Sequence, residues 1–174
     1  MFKFIETNHL KLIACNAAIL KAAIDGNGAL SKIIGSKVHP NWTEFGVMPI
    51  EYAYNKLLKN ADENNWWTYL PIHKADNLLI GSGGYKGKPT IDGVVEIGYE
   101  ITSTYRNKGL ATELVQALVK HAFENQIVKT IIAHTLGNDN PSTKVLQKCR
   151  FIKTADITDP DDGLLWKWTL PKSI

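Results

Sequence analysis

The stretch VVEIGYEITSTYRNKGLATELVQALVKHAF, residues 94–123, decides the fold. Its first eight residues alternate, with Val95, Ile97, Tyr99 and Ile101 on one face and Glu96, Gly98 and Glu100 on the other. That period of two predicts a strand buried on one side. From Leu110 the period changes. Leu110, Leu114, Leu118 and Ala122 recur every four residues, and Val115 and Val119 widen the stripe, which predicts an amphipathic helix. A second apolar run, VKTIIAHT (128–135), reads as another strand. Strand, helix and strand in this order form a crossover unit, so the two strands run parallel.

Working outward, LKLIAC (10–15) reads as a strand and NAAILKAAI (16–24) as a helix capped by Asn16. DGNG (25–28) breaks that run. Two further helical pieces fall between residues 29 and 60, the second after Pro49 with Tyr52, Leu57 and Leu58 as its apolar stripe. WWTYLPIH (66–73) and LLIGSGGY (78–85) read as strands, and KGKPTIDG (86–93) as a hairpin loop. After residue 135 come a loop with a short helix (136–151) and two strands, FIKTAD (151–156) and LLWKWTL (164–170). The expectation is one mixed α/β domain over residues 1–174. Its sheet is mostly antiparallel, with a central parallel pair (94–101 and 128–135) flanked by helices.

Composition narrows the function classes. The chain has 174 residues, 44% hydrophobic and 21% charged, which is a globular balance rather than a disordered one. A net charge of +3 without an arginine-rich block argues against a nucleic-acid partner. The two cysteines, Cys15 and Cys149, are far apart and indicate neither a disulfide framework nor a zinc site. The five histidines show no metal-ligand spacing, and His134, inside an apolar run, reads as a core residue. Lysines and a glutamate interrupt the N-terminal apolar residues, so no signal peptide is read, and no run approaches the length of a membrane span. A cytoplasmic protein without a membrane partner is expected. GSGGYKGKP (81–89) is not a P-loop, because Lys88 is followed by proline and no helix follows.

The unusual feature is the join at residues 103–111. Arg106 and Lys108 stand just ahead of Gly109, where a helix begins. Helix starts carry partial positive charge and favour acidic or small polar side chains, so added cations there imply an anionic ligand. Glycine lets such a ligand approach the backbone.

On these residues the chain resembles the GNAT superfamily of N-acetyltransferases. Arg106, Asn107, Lys108, Gly109, Leu110 and Ala111 match its R/Q-x-x-G-x-G/A loop, which binds the pyrophosphate of acetyl-CoA. IIAHTLGNDNPSTKVLQKCRF (131–151) is similar to the strand, Asn-x-Ser, helix and Phe of the branch with the ribosomal-protein N-terminal acetyltransferases. One departure stands out. Arg150 occupies the place where the family usually has glycine before Phe151, and a non-glycine residue in a left-handed helix stop costs about 1 kcal/mol.

The resemblance implies acetyl transfer from acetyl-CoA to a primary amine by direct attack in a ternary complex, without a metal. A backbone N–H near Ile101 or Thr102 would serve the thioester carbonyl. Glu96 or Glu100 would accept the amine proton, Glu96 at the position where the branch often has an acid. The alternative for both is a solvated face or cross-strand pairing. Ser142 would meet the departing sulfur, or bond within its own helical turn. Asn140 caps that helix and touches the cofactor arm. Tyr99 reads as core or groove wall, Cys149 as core, and Trp42, Trp66, Trp67 and Tyr69 as core or as walls of the acceptor groove. A protein N-terminus and a small amine fit equally as acceptor, and homodimers are common in the family. From another class, a non-catalytic CoA-binding sensor or scaffold would use the same loop.

Overall fold

Val94–Ile101 is a strand whose Val95, Ile97 and Ile101 are buried while Glu96 and Gly98 are half-buried. The computed structural model describes residues 2–173. Its elements in chain order are β1 (Phe4–Glu6), β2 (Leu10–Ala14), α1 (Ala17–Asp25), α2 (Asn27–Ile34), β3 (Lys37–Val38) and α3 (Met48–Lys59). There follow β4 (Thr68–His73), β5 (Leu78–Leu79), β6 (Gly81–Tyr85), β7 (Val94–Ile101) and α4 (Leu110–Glu124). The chain closes with β8 (Thr130–Leu136), α5 (Pro141–Lys148), β9 (Ile152–Asp159) and β10 (Gly163–Pro171). The sheet has ten strands in the main order β1-β2-β4-β6-β7-β8-β10-β9, with β5 on β4 and β3 on β5. Adjacent strands are antiparallel except β7–β8 and the two-residue β3–β5 pair. The fold is therefore the expected mixed α/β domain with a parallel pair in the middle.

Two cores lie on opposite faces. On one, Leu12, Tyr69, Ile97 and Ile131 pack against Leu110, Leu114, Leu118 and Ala122 of α4, joined by Leu146 and Phe151. Leu114 and Leu118 are fully buried, each stabilising the fold by about 1.5–3 kcal/mol. On the other face, Ile13, Leu70 and Ile72 lie under Leu20 of α1, Leu30 of α2, and Ile50, Ala53 and Leu57 of α3. No residue of β7, β8, β9 or β10 joins this second core. Helices α1–α3 therefore cover only the β2–β4 half of that face.

Several local expectations need correction. In α3 the buried stripe is Ile50, Ala53 and Leu57, whereas Tyr52 and Leu58 are exposed. The run 78–85 divides at Ile80, because β5 pairs with β3 and β4 while β6 turns to β4 and β7. The second parallel strand occupies 130–136 rather than 128–135. The N-terminal strand β1, which the sequence reading left unassigned, pairs with β2. Trp42, Trp67 and Tyr69 belong to the cores. Asn16 caps α1 as expected, its side chain accepting the Ile19 N–H at 3.0 Å.

Two further contacts fix the frame. Glu113, in the first turn of α4, pins the β1–β2 turn: the Thr7 hydroxyl and His9 N–H donate to its Oε1 at 2.5 and 2.7 Å. His9 Nδ1 lies 2.8 Å from its Oε2. Partial burial pushes this carboxyl up, but the hydrogen bonds from Thr7 and His9 outweigh it and hold it below the usual glutamate value. At the end of α5 the Phe151 N–H reaches the Leu146 carbonyl and the Arg150 N–H reaches that of Gln147, a Schellman stop with Arg150 at φ 67°. Among the described residues no helix is long and apolar enough to cross a membrane.

Two outcomes follow. Arg150→Gly relieves left-handed strain and is expected to raise stability by about 0.5–1 kcal/mol, read by urea unfolding. Glu113 contributes stability above the ordinary glutamate pKa, lost as pH falls through its depressed folded value. Glu113→Gln should therefore flatten the acid limb of urea midpoint against pH, and an unchanged limb would refute the clasp.

Candidate active site

The parallel pairing of β7 with β8 is short. Val94, Val95 and Glu96 pair with Thr130, Ile131 and Ile132, and there it ends. Beyond that point β7 stays on β6 as far as Ile101, and β8 stays on β10 as far as Leu136, so the strands part. On β7 the even-numbered residues turn their backbone toward β6, as the bonds from Lys86 N–H to the Glu96 carbonyl (3.0 Å) and from Thr102 N–H to that of Ile80 (2.8 Å) show. Strand alternation then leaves the N–H groups of Tyr99 and Ile101 facing the gap. Of Ile101 and Thr102, only Ile101 has an N–H free to meet a ligand.

The loop after β7 forms an anion cradle. Asn107 (φ 61°) and Gly109 (φ 77°) are both left-handed, so α4 starts at Leu110. The amides from Asn107 through Thr112 find no acceptor among the described residues. A Cβ on Gly109 would meet nothing within 4 Å, so open space lies before these donors. Successive unpaired N–H groups in left-handed turns at the start of a 15-residue helix suit a phosphate. The residues present thus fit a pyrophosphate.

The loop's side chains behave unequally. Arg106 is engaged: Nε donates to the Ile101 carbonyl at 2.8 Å and Nη2 to Glu44 Oε1 at 2.6 Å. It braces the end of β7 rather than reaching forward as a free cation. Lys108 lies 4.7 Å over the Tyr105 ring. Leu110 is buried and Ala111 half-buried, so backbone is what they offer at the helix start.

Glu96 and Glu100 share the uncovered half-face but have different surroundings. Glu100 is buried and engaged at both oxygens, accepting from the Ser82 hydroxyl (2.7 Å) and the Glu44 N–H (2.8 Å). It holds the segment before α3 in place. Glu96 lies 2.5 Å from Lys86 Nζ and 2.9 Å from His134 Nδ1. Burial pushes its carboxyl up, but hydrogen bonds and charge from Lys86 and His134 outweigh this and leave it below the usual glutamate value. His134 therefore belongs to this cluster and not to the core.

Across the gap, Asn140 is a capping residue: its Oδ1 accepts the N–H groups of Ser142 (2.9 Å) and Thr143 (3.1 Å), completing a capping box. Ser142 Oγ donates to the Tyr99 hydroxyl at 3.3 Å, and that hydroxyl donates to the Ser142 carbonyl at 3.0 Å. Burial pushes the Tyr99 phenol up to about 12, partly offset by the Ser142 bond, so it keeps its proton at neutral pH. Tyr99 thus spans the gap between β7 and α5. The sequence reading missed Lys86 and His134 as site residues and gave Tyr99 as core or groove wall. Alternation in TIIAHTL does put His134 on the face opposite Ile131 and Ala133, but the register that brings it to Glu96 is a tertiary fact.

Among known families, the acetyltransferase (GNAT) domain model matches residues 37–152. The chain is 28% identical over 149 residues to the N-acetyltransferase YjdG of Bacillus subtilis, covering 85% of this chain and 89% of that protein. It superposes on a GNAT-family acetyltransferase from Bacillus anthracis with a TM-score of 0.65 at 21% identity, covering 97% and 98% of the two chains. On RimL, a ribosomal L7/L12 α-N-protein acetyltransferase in complex with coenzyme A, the TM-score is 0.70 at 13% identity, covering 97% and 98%.

Gly109→Val places a β-branched residue at φ 77° and a side chain in the space before the cradle. Calorimetry should show acetyl-CoA binding about tenfold weaker or worse, with the circular dichroism spectrum retained. Unchanged affinity would remove this loop from the site.

Proposed function

The chain belongs to the GNAT acetyltransferase family, and on that premise we propose that it transfers an acetyl group from acetyl-CoA to a primary amine. The observation that carries this reading is the gap between β7 and β8, with the cradle of unpaired amides at the start of α4 beside it. A gap flanked by backbone donors suits an extended thioester arm, and the cradle suits its pyrophosphate.

Acetyl-CoA supplies an acetyl group already activated as a thioester. The chain's own residues supply the rest. The amides from Asn107 to Ala111 hold the phosphates, with Lys108 adding charge, while Arg106 keeps the loop in place through Ile101 and Glu44. The Ile101 N–H serves the thioester carbonyl as charge develops on its oxygen. Ser142, placed by the Asn140 cap, turns its hydroxyl from the Tyr99 oxygen to the departing sulfur. On the acceptor side, Glu96 remains as the carboxylate of the open face, because Glu100 is consumed by Ser82 and Glu44. The acceptor to test first is the α-amine of a polypeptide, the substrate class named for RimL, with small amines beside it. The buried free thiols of Cys15 and Cys149 suit a reducing cytoplasm.

The test is free-thiol release from acetyl-CoA with peptides beginning in Ser, Ala or Met and with small amines, products being identified by mass. At least one amine should gain a single acetyl group in step with thiol release. Tight acetyl-CoA binding with no turnover across the whole panel would contradict the enzyme reading.

A further inference from the structure

The half-face left uncovered by α1–α3 carries a carboxylate–imidazole pair. Ile131 and Ala133 of β8 are buried in the α4 core, so Ile132, His134 and Leu136 point to the other face, the one shared with Glu96. His134 sits two residues past Ile132, the last residue of β8 paired with β7, and therefore at the wall of the gap. Its Nδ1 is 2.9 Å from Glu96 Oε1. A carboxylate can only accept, so in the neutral imidazole Nδ1 carries the proton and Nε2 keeps its lone pair. Nε2 has no partner among the described residues. Beside the pair, a Cβ on Gly98 would meet nothing within 4 Å, so the strand surface between Glu96 and Glu100 is open.

We infer that His134, held in its Nδ1–H tautomer by Glu96, is the base that deprotonates the incoming amine. The assignment rests on the acetyl-transfer reading and deepens it. The charged side chains nearest His134 on this face are Glu100, Glu96, Lys86 and Lys167. Glu100 is buried with both oxygens tied to Ser82 and Glu44. Glu96 receives both of its donors on Oε1 and keeps Oε2 open among the described residues. Lys86 and His134 nevertheless hold its carboxyl below the usual glutamate value, which makes it a weak base. Lys86, paired with Glu96, and Lys167, opposite His134 on β10, are donors only. His134 combines an unengaged basic atom, Nε2, with a place beside the gap. Imidazole also suits the task, since an efficient general base has a pKa near the operating pH, whereas a doubly bonded carboxylate is too weak.

The proton balance closes. One ammonium proton passes to Nε2 of His134. The freed nitrogen lone pair forms the C–N bond as the thioester C–S bond breaks, its electron pair leaving on sulfur. A second nitrogen proton ends on that sulfur through the Ser142 side of the gap, and the imidazolium returns its proton to solvent. Glu96 does not change protonation state, so it is a positioning residue.

Two measurements test this. In protein without acetyl-CoA, imidazole 15N spectra should show neutral His134 as the Nδ1–H tautomer, shifting toward Nε2–H in Glu96→Gln. A dominant Nε2–H form in the unmodified chain would overturn the assignment. In steady-state assays, His134→Gln and His134→Ala should lower kcat/KM about 10²–10³-fold for a peptide α-amine, leaving the KM for acetyl-CoA unchanged. With hydroxylamine, already neutral at pH 7.5, the loss should be under about threefold, because no deprotonation is needed. A loss under twofold with the peptide, or equal losses with both nucleophiles, would overturn the base role while leaving acetyl transfer standing. No turnover by the unmodified enzyme with any nucleophile would overturn both.

Discussion

The parting of β7 and β8 after three paired residues is the constraint on which the rest of the molecule depends. A parallel pair in the middle of a sheet normally continues its ladder, since unpaired backbone groups there cost free energy. Here each strand keeps its outer neighbour and releases its inner one. The Ile101 carbonyl is taken by Arg106, and the Tyr99 hydroxyl reaches across to α5. The N–H groups of Tyr99 and Ile101 remain for water or for a ligand. A fold that keeps such groups in its centre is suited to hold an extended polar arm there.

The helices complete the arrangement by where they are absent. Helix α4 fills one face through Leu110, Leu114 and Leu118, and its start places the amide cradle at the end of β7. Helices α1–α3 fill the other face only over β2 and β4. The remaining half-face is polar, carrying Glu96, Glu100 and His134. Glu100 is an anchor rather than a reagent: with Arg106 it grips Glu44, by the backbone on one side and the carboxylate on the other. The anion loop and the segment leading into α3 are thus mechanically joined through Glu44, and His39 adds contacts to Thr102 and Thr104.

How much of this was legible in the sequence depends on the range of the interaction concerned. Alternation along 94–101 and the four-residue spacing from Leu110 reported β7 and α4 correctly, because both follow from which side of one element is buried. The Asn16 cap and the left-handed Arg150 were equally local, and both appear in the structure. The stripe of α3 was misread because Tyr52 and Leu58 are apolar yet exposed, and only the sheet beneath selects Ile50, Ala53 and Leu57. Arg106 looked like a free cation, and its commitment to Ile101 and Glu44 comes from chain separated by up to 62 residues. His134 looked like core because its neighbours are apolar. Its meeting with Glu96 depends on the β7–β8 register, which no single-chain pattern encodes.

The most direct test of the central claim is residue-resolved amide hydrogen exchange with and without acetyl-CoA. The account predicts slowed exchange at Tyr99 and Ile101 in the gap and from Asn107 to Thr112 at the start of α4, with little change in α1 or β9. Exchange at Tyr99 and Ile101 left unchanged at saturating acetyl-CoA would contradict it, because the gap would then not be where the thioester arm lies.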